Sequence, residues 1–146
     1  MTTFNCNSCL TFSLQKETRM DLIHKFIDRI NAHDVDGLCA LMTPDHTFID
    51  AIGSTIQGRD ELHRAWAGYF KLFPDYRVTA EDLLQTGDTV AVFGKASATY
   101  SPSGRMYKDH HWEVPAAWKA IIKDGLVAEW RVYADNYKVV KMIKGI

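Results

Sequence analysis

The stretch Asp45-His46-Thr47-Phe48-Ile49-Asp50-Ala51-Ile52-Gly53 places an imidazole, an aromatic ring and a carboxylate at every second position. Phe48, Ile49 and Ile52 supply apolar bulk, while Pro44 before it and Gly53-Ser54 after it punctuate a short strand. Alternate residues of a strand share a face, so His46, Phe48 and Asp50 point one way and Thr47, Ile49 and Ala51 the other. An acid–base group beside a ring is what a half-apolar pocket for proton transfer requires. A plainer role also fits these residues: Asp50 caps the following turn and His46 sits at a solvated strand end.

Further candidates come from the same alternation. The stretch Trp130 to Asp135 puts Trp130, Val132 and Ala134 on one side and Arg131, Tyr133 and Asp135 on the other. Asp135 is thus a second candidate carboxylate. His110 and His111 are adjacent, so at most one of them enters a pocket from a regular strand. The six histidines make no metal set, because none pairs at His-x-His or His-x-x-x-His spacing with a carboxylate nearby. Neither a nucleophile elbow, a phosphate loop nor a dinucleotide fingerprint is present, so no cofactor is expected. Cys6-Asn7-Ser8-Cys9 has the spacing of half a zinc site, without the two further ligands such a site needs.

The elements that must position these residues follow from periodicity. Leu22, Ile23, Phe26, Ile27 and Ile30 predict a first helix from Met20 to Ala32. Leu38, Cys39, Leu41 and Met42 predict a short second helix, stopped by Pro44. A third, from Gly58 to about Leu72, carries Leu62, Ala65, Trp66, Tyr69 and Phe70, with Phe73 just beyond. The period then falls to two, and four strands are predicted over Tyr76 to Gln85, Thr89 to Tyr100, Trp112 to Lys123 and Leu126 to Ala134. Gly87-Asp88 and Asp124-Gly125 are hairpin turns, so these strands pair antiparallel. Tyr137 to Ile143 closes the chain as a helical turn or an edge segment. Helices followed by a strand meander define an α+β domain. A twisted sheet curled around aromatic helices leaves a tapered cavity, with Trp66, Tyr69, Phe73 and Trp118 as its walls.

Composition narrows the partners. The 146 residues suit one domain, read as residues 20–146 behind an N-terminal extension of residues 1–19. Seventeen basic against eighteen acidic residues, without a basic stripe, argue against nucleic acid or an anionic membrane as partner. Nothing approaches the apolar length of a membrane-spanning helix. The first twenty residues lack a basic start and a continuous apolar core, which makes a poor secretory signal. Three cysteines build no disulfide framework, so a cytoplasmic location is expected.

Asn31 to Met42, the strand ending at Asp50 and Gln57-Gly58-Arg59 opening a helix together resemble the nuclear-transport-factor-2-like superfamily. Its SnoaL-like polyketide cyclase and ketosteroid isomerase branches look most similar. Phe73-Pro74-Asp75-Tyr76, Gly87 to Ala91 and Trp130 to Asp135 extend the resemblance, which covers about Met20 to Ile143. It implies a cone-shaped, cystatin-like fold: a curved antiparallel sheet wrapped around three N-terminal helices, with an apolar pocket and usually a homodimer formed through the sheet. Asp50 matches the general base of ketosteroid isomerase, the enzyme whose neutral carboxylic acid donates into an oxyanion hole. The hole itself is not matched, since its tyrosine falls at Phe26 and its acid at Ala117 or Trp118. Steroid isomerisation is therefore not predicted. The cyclases pair an acid–base aspartate with a histidine, roles open here to Asp50 or Asp135 with His46, His110 or His111. The Asp-Arg-Asp set of limonene-epoxide hydrolase finds its residue types in Asp50, Arg131 and Asp135, without the spacing. The expectation is a pocket for a small apolar carbonyl compound, walled by Phe26, Trp66, Tyr69, Phe73, Trp118 and Trp130. Asp50, Asp135, His46 and His111 are the catalytic candidates, and a ligand-binding or dimerisation module is the alternative.

Overall fold

The computed structural model describes residues 17–145, so the Cys6 and Cys9 pair and most of the N-terminal extension lie outside the described residues. Helix α1 (Arg19–Asn31) begins at a capping box. The Thr18 hydroxyl accepts from the Asp21 N–H, and the Asp21 carboxylate accepts from the Thr18 N–H, satisfying two donors that a helix start leaves open. Its face of Leu22, Ile23, Phe26, Ile27 and Ile30 is buried, as the 3.6-residue period requires. Helix α2 (Val35–Ala40) is capped by Asp34, whose carboxylate accepts from the Gly37 N–H at 2.9 Å. Helix α3 (Arg59–Leu72) buries Leu62, Trp66 and Phe70.

The strands are β1 (Met42–Ile49), β2 (Thr55–Gln57), β3 (Arg77–Thr86), β4 (Thr89–Thr99), β5 (His111–Lys123) and β6 (Leu126–Ala134), and helix α4 (Tyr137–Lys144) ends the chain. They form one curved, open sheet in the order β2-β1-β6-β5-β4-β3. The meander β3 to β6 is antiparallel throughout. The sheet as a whole is mixed, however, because β1 lies parallel to β6. A long crossover through α3 and the meander separates these two strands, which is the connection a parallel pair needs.

One boundary differs from the sequence reading. Met42 opens β1 instead of ending α2, and Pro44 lies inside the strand. Met42 pairs with Val127 and Thr47 with Glu129, so residues 43–46 bulge from the ladder. Pro44 is exposed in that bulge, where its missing N–H costs nothing.

Every second residue of the meander turns into the concavity, including Val90 and Val92 of β4 and Trp112, Val114, Ala116 and Trp118 of β5. Gly94 pairs with Ala116, and Ala116 with Ala134, giving a row of small residues across three strands. Gly94 also meets β3 at its register shift, where an added Cβ would stand 1.8 Å from the Thr79 carbonyl oxygen. Backbone cannot step aside as a flexible side chain can. Gly94→Ala is therefore expected to destabilise by about 1–3 kcal/mol in chemical denaturation; a midpoint equal to the parent's would contradict that close approach.

Candidate active site

The row of small residues leaves a cavity of about 290 Å³ between α3 and the concave face of the sheet. From α3 come Leu62, Ala65, Trp66 and Tyr69, and from the sheet Ala96, Trp112, Val114, Ala116, Trp130, Val132 and Ala134. Phe48 and Asp50 enter from the end of β1, Tyr76 from the residue before β3, and Asn136 from the residue after Asp135. The polar groups of the lining residues are one carboxylate, two phenols, three indoles and a carboxamide.

Asp50 both holds its turn and borders the cavity. Its Oδ1 accepts from the Ile52 N–H at 3.0 Å and the Ser54 N–H at 2.8 Å. The turn-capping role foreseen for it is filled by Oδ1, with Oδ2 left as an acceptor. Tyr69 and Tyr76 meet edge to face, their ring centroids 5.0 Å apart. Burial pushes both phenols well above the ordinary tyrosine range, and in Tyr69 the neighbouring Tyr76 adds to the effect. Both therefore stay protonated and can donate. Tyr76 is held from behind by the end of α1. His33 Nε2 donates to the Tyr76 carbonyl at 2.9 Å, and the Asn31 carboxamide brackets Val78, donating to its C=O at 2.9 Å and accepting from its N–H at 2.8 Å.

The other expected catalytic residues lie elsewhere. His46 shares the inward face of β1 but sits deeper, fully buried, its ring 6.1 Å from Phe26. Its Nδ1 donates to the Val127 carbonyl at 2.6 Å, and Nε2 has no partner among the described residues. His111 occupies an outward position of β5, exposed and bonded to the Thr99 hydroxyl at 3.0 Å. His110 lies in the turn before β5, its Nδ1 donating to the Tyr100 carbonyl. Asp135 is exposed and accepts from the N–H of Tyr137, the first residue of α4, at 3.0 Å. Arg131 also faces outward, its guanidinium 5.0 Å from the Tyr133 ring. Asp50, Arg131 and Asp135 thus do not converge.

Of the expected walls, Trp66, Tyr69 and Trp130 line the cavity. Phe26, Phe73 and Trp118 stand behind it. Phe26 packs 4.9 Å from Trp130, Trp118 stacks on Trp130 at 6.1 Å, and Phe73 backs Tyr69 at 4.7 Å. Sequence reasoning missed Tyr76, Trp112 and Asn136. The alternation that put Trp130, Val132 and Ala134 on one face, carried two residues further, reaches Asn136 and not Asp135.

With this geometry in view, the comparisons define the class. A SnoaL-like domain model matches residues 23–130, and the chain belongs to that family. Its sequence is 33% identical over 135 residues to the epoxide hydrolase LasB of Streptomyces lasalocidi, covering 81% of this chain and 48% of that protein. The chain thus spans about half the length of the curated relative it matches. A protein from Jannaschia sp. CCS1 named as a SnoaL-like polyketide cyclase superposes with a TM-score of 0.75 at 20% identity, covering 90% of this chain and 99% of its own. IdmH from Streptomyces antibioticus, named as a polyketide cyclase, superposes with a TM-score of 0.71 at 23% identity, covering 89% and 100%. The structural likenesses establish the fold.

Two outcomes follow from the site. Burial depresses the pKa of His46 below its ordinary 6.5, outweighing the Val127 carbonyl and the nearby Glu129 and Asp45 carboxylates. The unfolded chain then binds more protons than the folded one once pH falls below about 6.5, so stability declines there. His46→Gln should flatten this decline in melting temperature between pH 7.5 and 5; an unchanged slope would assign it to other groups. Ala116→Leu fills the hollow with little loss of melting temperature and reduces cavity-ligand affinity at least about tenfold; retained affinity would place the ligand elsewhere.

Proposed function

We propose that the chain is a cofactor-independent acid–base enzyme acting on a small, largely apolar carbonyl compound, with Asp50 as base and the Tyr69 and Tyr76 phenols as hydrogen-bond donors. One observation carries this reading: a carboxylate and two neutral phenols border the same apolar cavity. Asp50 takes a proton from the carbon next to the carbonyl, and the electron pair moves onto the carbonyl oxygen. A phenol O–H donates to that oxygen as its charge grows, and Asp50 returns the proton to carbon. The donors missing at Phe26 and at Ala117 or Trp118 are thus supplied from other positions. The SnoaL-like family, with relatives named for cyclisation and epoxide hydrolysis, is compatible with such chemistry. A second reading, ligand binding without turnover, is favoured by the commitment of Asp50 Oδ1 to its own turn.

The protein is further proposed to act in the cytoplasm, where the free thiol of Cys39 stays reduced. It is proposed to form a homodimer through the outer sheet face, which exposes Leu84, Phe93 and Tyr133. Analytical ultracentrifugation checks the latter, a single monomer species at micromolar concentration being the contrary result.

The catalytic reading is tested by deuterium exchange at the enolisable carbon of 2-tetralone, followed by NMR. Asp50→Asn keeps the turn and should lower the exchange rate at least about a hundredfold with little change in melting temperature. Tyr76→Phe should lower it about 10²–10³-fold. Exchange by Asp50→Asn at the parent rate would exclude this carboxylate as the base.

A further inference from the structure

We propose that the cavity is selective for a ligand bearing a tertiary or quaternary ammonium group. Six aromatic side chains line it: Phe48, Trp66, Tyr69, Tyr76, Trp112 and Trp130. Several stand nearly at right angles. Trp66 meets Phe48 at 72° and Tyr69 at 81°, and Tyr69 meets Tyr76 at 86°, with centroids 5.9, 6.0 and 5.0 Å apart. Walls set this way allow several ring faces to border one volume, and each face carries the negative end of the ring quadrupole.

Asp50 is the sole carboxylate in the lining, and no lysine, arginine or histidine joins it. The candidate cations are turned away: Arg131 lies over Tyr133 on the outer face, His46 is spent on the Val127 carbonyl and His111 is exposed. The lining therefore carries one formal negative charge and no formal positive one. An anionic ligand finds no counter-charge, and a neutral one gains only from buried area. An alkylated ammonium gains from the ring faces and from the carboxylate, whose Oδ2 is an acceptor free of its turn. Alkyl groups on nitrogen matter because the apolar walls offer few acceptors for N–H groups. The inference takes from the proposed function only the cavity itself and does not depend on proton transfer.

The test compares phenyltrimethylammonium with tert-butylbenzene, its uncharged isostere, by quenching of the cavity tryptophans. The cation should bind the parent protein at least about tenfold more tightly. Asp50→Asn should narrow that gap several-fold. Equal or tighter binding of tert-butylbenzene to the parent protein, or no saturable quenching by the cation at millimolar concentration, would overturn the proposal. Charge preference and ketone exchange are separate readouts, so either can fail while the other stands.

Discussion

A curved sheet that carries its aromatic side chains on the concave face must have that face covered, and two helices cover it unequally. Against α1 the packing is close: Phe26 packs tilted on Trp130, and Trp118 stacks on Trp130, none of the three more than 1% exposed. Against α3 it cannot be, because Ala96, Ala116 and Ala134 point inward where larger side chains would be needed to reach the helix. Three missing side-chain volumes in adjacent strands make one continuous hollow. The hydrophobic term that drives the sheet onto α1 also fixes the depth of the cavity, since Trp130 belongs to both.

That arrangement sets the chemistry. A group lowered into an apolar hollow loses hydration, so the phenols keep their protons while the carboxylate is held at the rim by two backbone N–H groups. Phenols and carboxylate are kept apart in environment though they border one space. The supports are just as specific. Asn31 and His33, at the far end of α1, grip the backbone from Tyr76 to Val78, so the helix that fills the core also fixes the phenol.

Much of this was legible in the sequence. The change of period after Phe73 located the meander, and strand parity grouped the inward residues of β6 and put Phe48 of β1 on the side of Asp50, just beyond the strand. Parity failed to separate His46 from Asp50, because sharing a face does not mean sharing a depth. At the end of β6 the choice of Asp135 ran against parity, which set it opposite Trp130: Asp135 bonds the Tyr137 N–H outside the cavity, and Asn136 lines it. The parallel pairing of β1 with β6 leaves no local trace, since the partners lie some eighty residues apart. Pro44 misled for a related reason, marking a bulge where it looked like a helix stop. Tyr76 opens the predicted third-strand segment with the parity of Val78, but nothing in the sequence tied that face to the cavity.

The central claim is that a ligand enters the hollow between α3 and the sheet and meets Asp50 there. Intermolecular nuclear Overhauser effects to bound 2-tetralone test it most directly. The account predicts contacts from the methyl groups of Ala96, Ala116 and Ala134 and the rings of Tyr69 and Tyr76, together with a shift of the Asp50 carboxylate carbon. Contacts confined to the outer face around Phe93 and Tyr133, with that carbon unmoved, would contradict it.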